Sequence, residues 1–359
     1  MSHIRAHLSE ACRWSTAVET EAAEIAAAGL GMAIPVLLAV ISGDLAPGLA
    51  AAMGGLAVGR VEIAAGLRTH LRREAAALGP AILAAFLAVL CAGHGWHTSI
   101  ALVLVVGIAA IVSGFSRGIA IAATRFILFL LIVGAVATPT EALGAKETTG
   151  FLALVAIGAL WTSALRLALG AVVRWHRGAG APVSLSQPIP TLRQKYARWR
   201  RSLTTFAGWN YPARLAPCIA IATAFEIVWP GHHLHWIGLT VAISTQRQVE
   251  LVPVKTTQRA LGTTIGVIAA GIMLRSGLHP WALVGVLAFL AGIRPLLRVR
   301  NYLAYSAVMT PLIILIIDAG RAIDGGLLFD RLVATLIGAA LVITINLLVT
   351  RSSVSKGTL

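Results

Sequence analysis

Cations and hydroxyls stand among glycines between residues 238 and 266, in GLTVAIST and the QRALGTTIG that follows it. A guanidinium presents a planar fork of donors that can pair bidentately with a carboxylate, which makes Arg247 and Arg259 candidates for meeting an anion. Thr240 and Thr263 add hydroxyls that can hydrogen-bond. Gly262 and Gly266, four apart on one helix face, leave room for a substrate or for the close approach of another helix. Arg125 lies eight residues into GIAIAATRFILFLLIVGAV. At that depth a charge is costly and faces the bundle interior or a watery path, unless it snorkels to the nearby surface. No nucleophile elbow, Walker loop, dinucleotide fingerprint or H-E-x-x-H occurs, so no enzyme, ATP-driven pump, cofactor or metal site is expected.

The elements that position these residues are set by the solvent they live in. Hydrophobic residues make up 58% of the 359 and charged residues 12%, a balance that no water-soluble domain of this size needs. The chain reads as a multi-pass membrane protein. Twelve apolar runs follow one another, at 25–43, 45–59, 75–92, 97–113, 118–137, 150–168, 212–230, 234–245, 260–275, 280–293, 302–318 and 331–350. Cys12, Cys91 and Cys218 are scattered and suggest neither a disulfide framework nor a thiolate metal site. Glu10, Glu19, Glu21 and Glu24 precede the first run where a cleaved signal peptide would be basic, so that run is expected to remain in the mature protein.

The net charge of +15 looks like a nucleic-acid signal until the charges are located. With the N-terminus placed in the cytoplasm, 22 of the 29 Lys and Arg fall inside and four outside, namely Lys146, Arg275, Arg321 and Arg331. Arg125, Arg166 and Arg214 lie within runs and belong to neither side. The asymmetry predicts cytoplasmic termini and accounts for the charge without a nucleic-acid partner. Six histidines, His94, His97, His232, His233, His235 and His279, collect on the outer side among Trp96, Trp229, Trp236 and Trp281. An interfacial aromatic belt accounts for them more economically than zinc ligation does. Glu226 reads as an interfacial acid, with proton coupling as the rival reading.

Sliding the chain on itself by 185 residues lays His94-Gly-Trp96 on His279-Pro-Trp281, Gly107 on Gly292 and Arg166 on Arg351. The expected fold is therefore all-α, with about 12 transmembrane helices in two parallel six-helix repeats. An amphipathic surface helix precedes each repeat. In the second half it carries Leu192, Tyr196, Trp199, Leu203 and Phe206 on one stripe with basic residues around it, suited to anionic lipid. A weaker stripe of Ile4, Leu8, Ala11, Trp14 and Val18 precedes the first half. The predicted organisation is an N-terminal amphipathic segment (1–24), a first membrane repeat (25–171), a linker with the basic helix (172–211), a second repeat (212–350) and a tail (351–359).

The run at 234–245 would make a helix only about 18 Å long, against about 30 Å of hydrocarbon. At the shift of 185 it falls on another short, Gly- and Ala-rich run, MGGLAVGR at 53–60. Abbreviated segments at corresponding positions of two halves point to a transport site, where a helix can end inside the membrane because its free backbone groups line a cavity. The bland alternative is a tilted, ordinary span.

Trp236-x-x-Leu239-Thr240, followed by Arg259-x-x-Gly262-Thr263-x-x-Gly266, resembles the signature of the fusaric acid resistance-like membrane family. That family includes bacterial aromatic acid exporters and is related to the plant aluminium-activated malate channels. The resemblance covers about 210–275 well and the remaining layout loosely. It implies an inner-membrane exporter of organic anions, aromatic carboxylates first among them, with Arg247 and Arg259 at the carboxylate, Thr240 and Thr263 hydrogen-bonding, and Gly262 admitting substrate or helix. Proton motive force is the default energy source. A passive anion channel and a non-transporting scaffold are the rival readings. A periplasmic adaptor protein and further copies of the chain are left open as partners beside the bilayer itself. The first-half equivalents of Thr240, Arg259, Gly262 and Thr263 are Gly55, Glu74, Ala77 and Leu78. The motif thus occurs once, one site per chain is expected, and Glu74→Ala should be nearly silent.

Overall fold

In the computed structural model, residues 12–15, 20–58, 67–91, 95–137, 145–177, 190–230, 232–318 and 325–356 are described. Most of the N-terminal stripe, the Gly/Pro/Ser-rich part of the linker and His94 fall outside them. The described residues form thirteen helices and no strand: α1 (Ala22–Ser42), α2 (Leu45–Ala57), α3 (Leu67–Cys91), α4 (Trp96–Val112), α5 (Arg117–Ala137), α6 (Ala145–Arg177), α7 (Leu192–Leu203), α8 (Phe206–Val228), α9 (His235–Ser244), α10 (Leu251–Arg275), α11 (Pro280–Arg300), α12 (Tyr302–Asp318) and α13 (Gly325–Lys356). A helix satisfies its own backbone, which is why apolar runs in lipid take this form. Seven of them, on α1, α3, α5, α6, α8, α11 and α13, are long and apolar enough to cross a bilayer, while α2, α4, α9 and α12 are shorter apolar helices.

A helix stands at each of the twelve apolar runs, and the thirteenth is the basic α7. The ends differ from the expected spans. α6 runs on to Arg177, passing through Gly170, and α13 to Lys356. The amphipathic helix is shorter than its stripe. It opens on a capping box between Thr191 and Gln194 and closes at Leu203, so Phe206 begins α8. Trp199 anchors it by donating its indole N–H to the Ile111 carbonyl at 3.2 Å, while Leu192 and Tyr196 stay exposed.

The chain forms two compact units, one of residues 1–79, 143–182 and 261–328, the other of 80–142, 183–260 and 329–359. In unit 1, α1, α2 and α6 pack together, α1 lies along α11, and α12 packs on both α11 and α2. The α2–α6 contact depends on missing side chains. A Cβ on Gly158 would stand 1.8 Å from the Ala51 carbonyl oxygen, and one on Gly54 2.0 Å from that of Val155. In unit 2, α4 packs on α8 and α5, and α9 on α8 and α5. There α13 joins through Gly338, where a Cβ would come within 2.9 Å of Thr240 Cβ.

Each unit thus draws on both halves of the sequence. Unit 1 takes the first, second and sixth helices of the first half with the fourth and fifth of the second. Unit 2 takes the reverse set, and the boundary at 79/80 and at 260/261 falls inside the third helix of each half.

Candidate functional site

Unit 2 holds the short helix. α9 spans only ten residues, eight of them buried, and ends at Thr245 in an extended conformation. Its C-terminal carbonyls would lack helical partners, and a guanidinium reaches the segment just beyond them. Arg214, fully buried on α8, donates from Nη2 to the Arg247 carbonyl at 3.2 Å and from Nη1 to Asn346 Oδ1 on α13 at 2.9 Å. Its Nε donates to the Asn210 carbonyl at 3.2 Å. The Arg247 side chain lies 5.0 Å over the Tyr211 ring and donates to Ser113 Oγ at the end of α4. Desolvation lowers the pKa of Arg247, with the Tyr211 hydroxyl opposing the shift. A guanidinium does not lose its proton in this range, so the group stays cationic. This end of unit 2 therefore presents a fixed cation, a stacked phenol ring and a hydroxyl.

Thr240 is buried in the middle of α9, its Cβ and Cγ2 facing Gly338. Arg259 is 3% exposed on the first half of α10. Arg125 is half-buried on α5. These residues belong with Arg247 to unit 2, whereas Gly262 and Thr263, one turn beyond Arg259, belong to unit 1. Gly262 and Gly266 serve a helix rather than an open space. A Cβ on Gly262 would meet the Leu303 carbonyl at 2.5 Å and Ser306 Cβ at 2.6 Å, and one on Gly266 would meet Thr310 Cβ at 2.6 Å. Of the two roles read from the sequence for these glycines, close approach of a partner helix, α12, is the one whose contacts are present. Thr263 is fully buried, its hydroxyl without a hydrogen-bond partner among the described residues.

Glu74 corrects an expectation. It is buried and ion-paired with Arg166, also buried, across α3 and α6 of unit 1. A carboxylate in that position cannot be silent, because removing it strands a charge. Arg166, Arg214, Tyr211, Ser113 and Asn346 were not among the residues singled out from the sequence as a site. The available signal was an arginine inside an apolar run, which in a membrane is a functional candidate by default.

At the other end of unit 2 the histidines find partners. Asp330 accepts from the His233 backbone N–H at 3.0 Å, and its carboxylate stands 3.0 Å from His232 Nδ1 and 3.4 Å from His233 Nδ1. Arg331 stacks 3.2 Å over the Trp236 ring, and His97 stacks on Trp96 at 3.8 Å. Among the described residues no group of three metal-ligating side chains is arranged to hold an ion.

The fold and the apolar surface define an α-helical, multi-pass membrane protein. A family model described as fusaric acid resistance protein-like matches residues 218–345, from α8 into α13. The match contains Thr240, Arg247, Arg259, Gly262 and Thr263. It implies a membrane transport or resistance role. No curated protein and no solved structure matches the chain.

Proposed function

We propose that the protein exports organic anions, aromatic carboxylates first among them, across the bacterial inner membrane. The observation that carries this reading is the braced cation beyond the short helix, Arg247 seated over Tyr211 with its backbone held by the buried Arg214. A carboxylate would pair with Arg247 and then with Arg259, while an aromatic ring would stack beside Tyr211. Thr240 would hydrogen-bond along the path, and Arg125 would keep that path attractive to anions. The export direction follows the family resemblance, and proton motive force is the default energy source. The two halves form parallel six-helix repeats in this reading, supported by the reciprocal helix sets of the two units. α7, with Leu192 and Tyr196 exposed and its arginines around them, lies on anionic lipid at the cytoplasmic face.

Uptake of benzoate into proteoliposomes, with and without a pH gradient, tests the activity. Arg259→Ala should weaken substrate binding roughly ten- to hundredfold, the worth of a charged hydrogen bond, and Thr240→Val by several-fold. In a double-mutant cycle the two losses should be non-additive. Strict additivity would mean that they do not share a site. Gradient-independent currents reversing at the anion's equilibrium potential would favour the passive channel, a reading supported by the engagement of Glu74 and Asp330 in ion pairs or hydrogen bonds. Wild-type behaviour of every variant would favour the scaffold. The orientation has its own check. A cysteine at Gly180 should be labelled only from the cytoplasm and one at Ala145 only from outside, and labelling of Gly180 from the periplasm would reverse the assignment.

A further inference from the structure

Unit 1 holds a partly open cavity of about 270 Å³ where the ends of α2 and α11 meet α1, the middle of α6 and α12. Its lining is in part cationic, with Arg166, Arg294 and Arg298 beside Tyr305, and in part apolar, with Ala27, Ala28, Leu56, Val58 and Met309. We infer that this cavity binds a singly charged organic carboxylate, a second anion site distinct from the one around Arg247.

Charge, donors and size each support the assignment. Among the described residues the lining carries three arginines and one acid, Glu24. Glu74 neutralises Arg166, so the described residues leave a net positive charge for an incoming anion. Arg294 is 8% exposed, yet its guanidinium makes one hydrogen bond, from Nη2 to the Gly55 carbonyl at 3.3 Å. Its other donors are not sealed into protein, since they are not among the buried nitrogens without partners. They open to the cavity. A buried arginine with donors in hand is held at a desolvation cost that a carboxylate ligand would offset. The volume is at the small end of the roughly 300–1,000 Å³ typical of ligand sites, which suits one ring or a short chain against the alanines.

The position has a counterpart. Gly55 is the first-half residue that the 185-residue shift lays on Thr240, and it lies near the end of α2, the other abbreviated helix. The expectation of one site per chain followed from the missing motif in the first half. The cations of this cavity come instead largely from α11 of the second half, which no comparison of the first half with the motif could show.

The test is calorimetric titration of benzoate into the full chain in lipid nanodiscs, a readout independent of transport. Wild type should bind two benzoates, and Arg247→Gln and Arg294→Gln one each. On the Arg247→Gln background, Arg294→Gln should weaken the remaining binding about tenfold or more, as loss of one charged hydrogen bond predicts. Arg298→Gln, an exposed position that leaves the fold intact, should weaken it several-fold, and benzyl alcohol should not compete. The inference is overturned if Arg247→Gln alone abolishes all binding, if Arg294→Gln and Arg298→Gln bind like their parent, or if benzyl alcohol competes as well as benzoate. Loss of transport with retained benzoate binding to this cavity would sink the exporter reading and leave the site standing.

Discussion

Glu74→Ala should destabilise the protein by about 3–5 kcal/mol, the usual cost of breaking a buried ion pair from one side. Both side chains of the Glu74–Arg166 pair are 5% exposed, so water cannot take over the role of the lost carboxylate. The cost is that of stranding Arg166 rather than the net worth of the pair. For the same reason the double replacement Glu74→Leu with Arg166→Met, apolar and similar in volume, should recover most of the loss. Thermal unfolding of the detergent-solubilised protein reads both, the single variant falling by several degrees and the double variant lying near wild type. An unchanged melting temperature for Glu74→Ala would show that the pair does not hold α3 to α6.

Arg214→Leu should cost a similar amount and should also remove transport. Three acceptors lose their donor at once, namely the Asn210 carbonyl, Asn346 Oδ1 and the Arg247 carbonyl. Each buried polar group left unsatisfied costs about 1–3 kcal/mol, and the terms do not add fully. The functional loss has a separate cause. Without the brace, the segment after α9 no longer holds Arg247 over Tyr211. Asn346→Leu removes one of the three contacts and should give the smaller stability loss, with transport retained in part. Wild-type stability and uptake in Arg214→Leu would mean that the buried guanidinium braces nothing.

The helices were legible in the sequence because the bilayer leaves the backbone little choice. Apolar runs such as 118–137 and 331–350 had to become helices, and α5 and α13 stand there. The short run after His233 announced itself by length alone and became α9. Gly262 and Gly266 read as a close-approach face from their spacing, and α12 occupies it. The outer histidines read as interfacial from their tryptophan neighbours, but the partner of His232 and His233, Asp330, lies nearly a hundred residues further along the chain.

Partners are what the tertiary structure decided. An arginine inside an apolar run is visible as a cost, but what compensates it is not local. Arg166 meets Glu74 across 92 positions, Arg214 meets Asn346 across 132, and Arg294 meets the Gly55 carbonyl across 239. Helix formation depends on neighbours within a turn, and so composition and periodicity report it. The placement of a buried charge depends on which helices pack side by side. In this chain the packed sets mix the two halves, and so it took the assembled units to show that Glu74 is buried against Arg166 and that residues of both halves line one cationic cavity in unit 1.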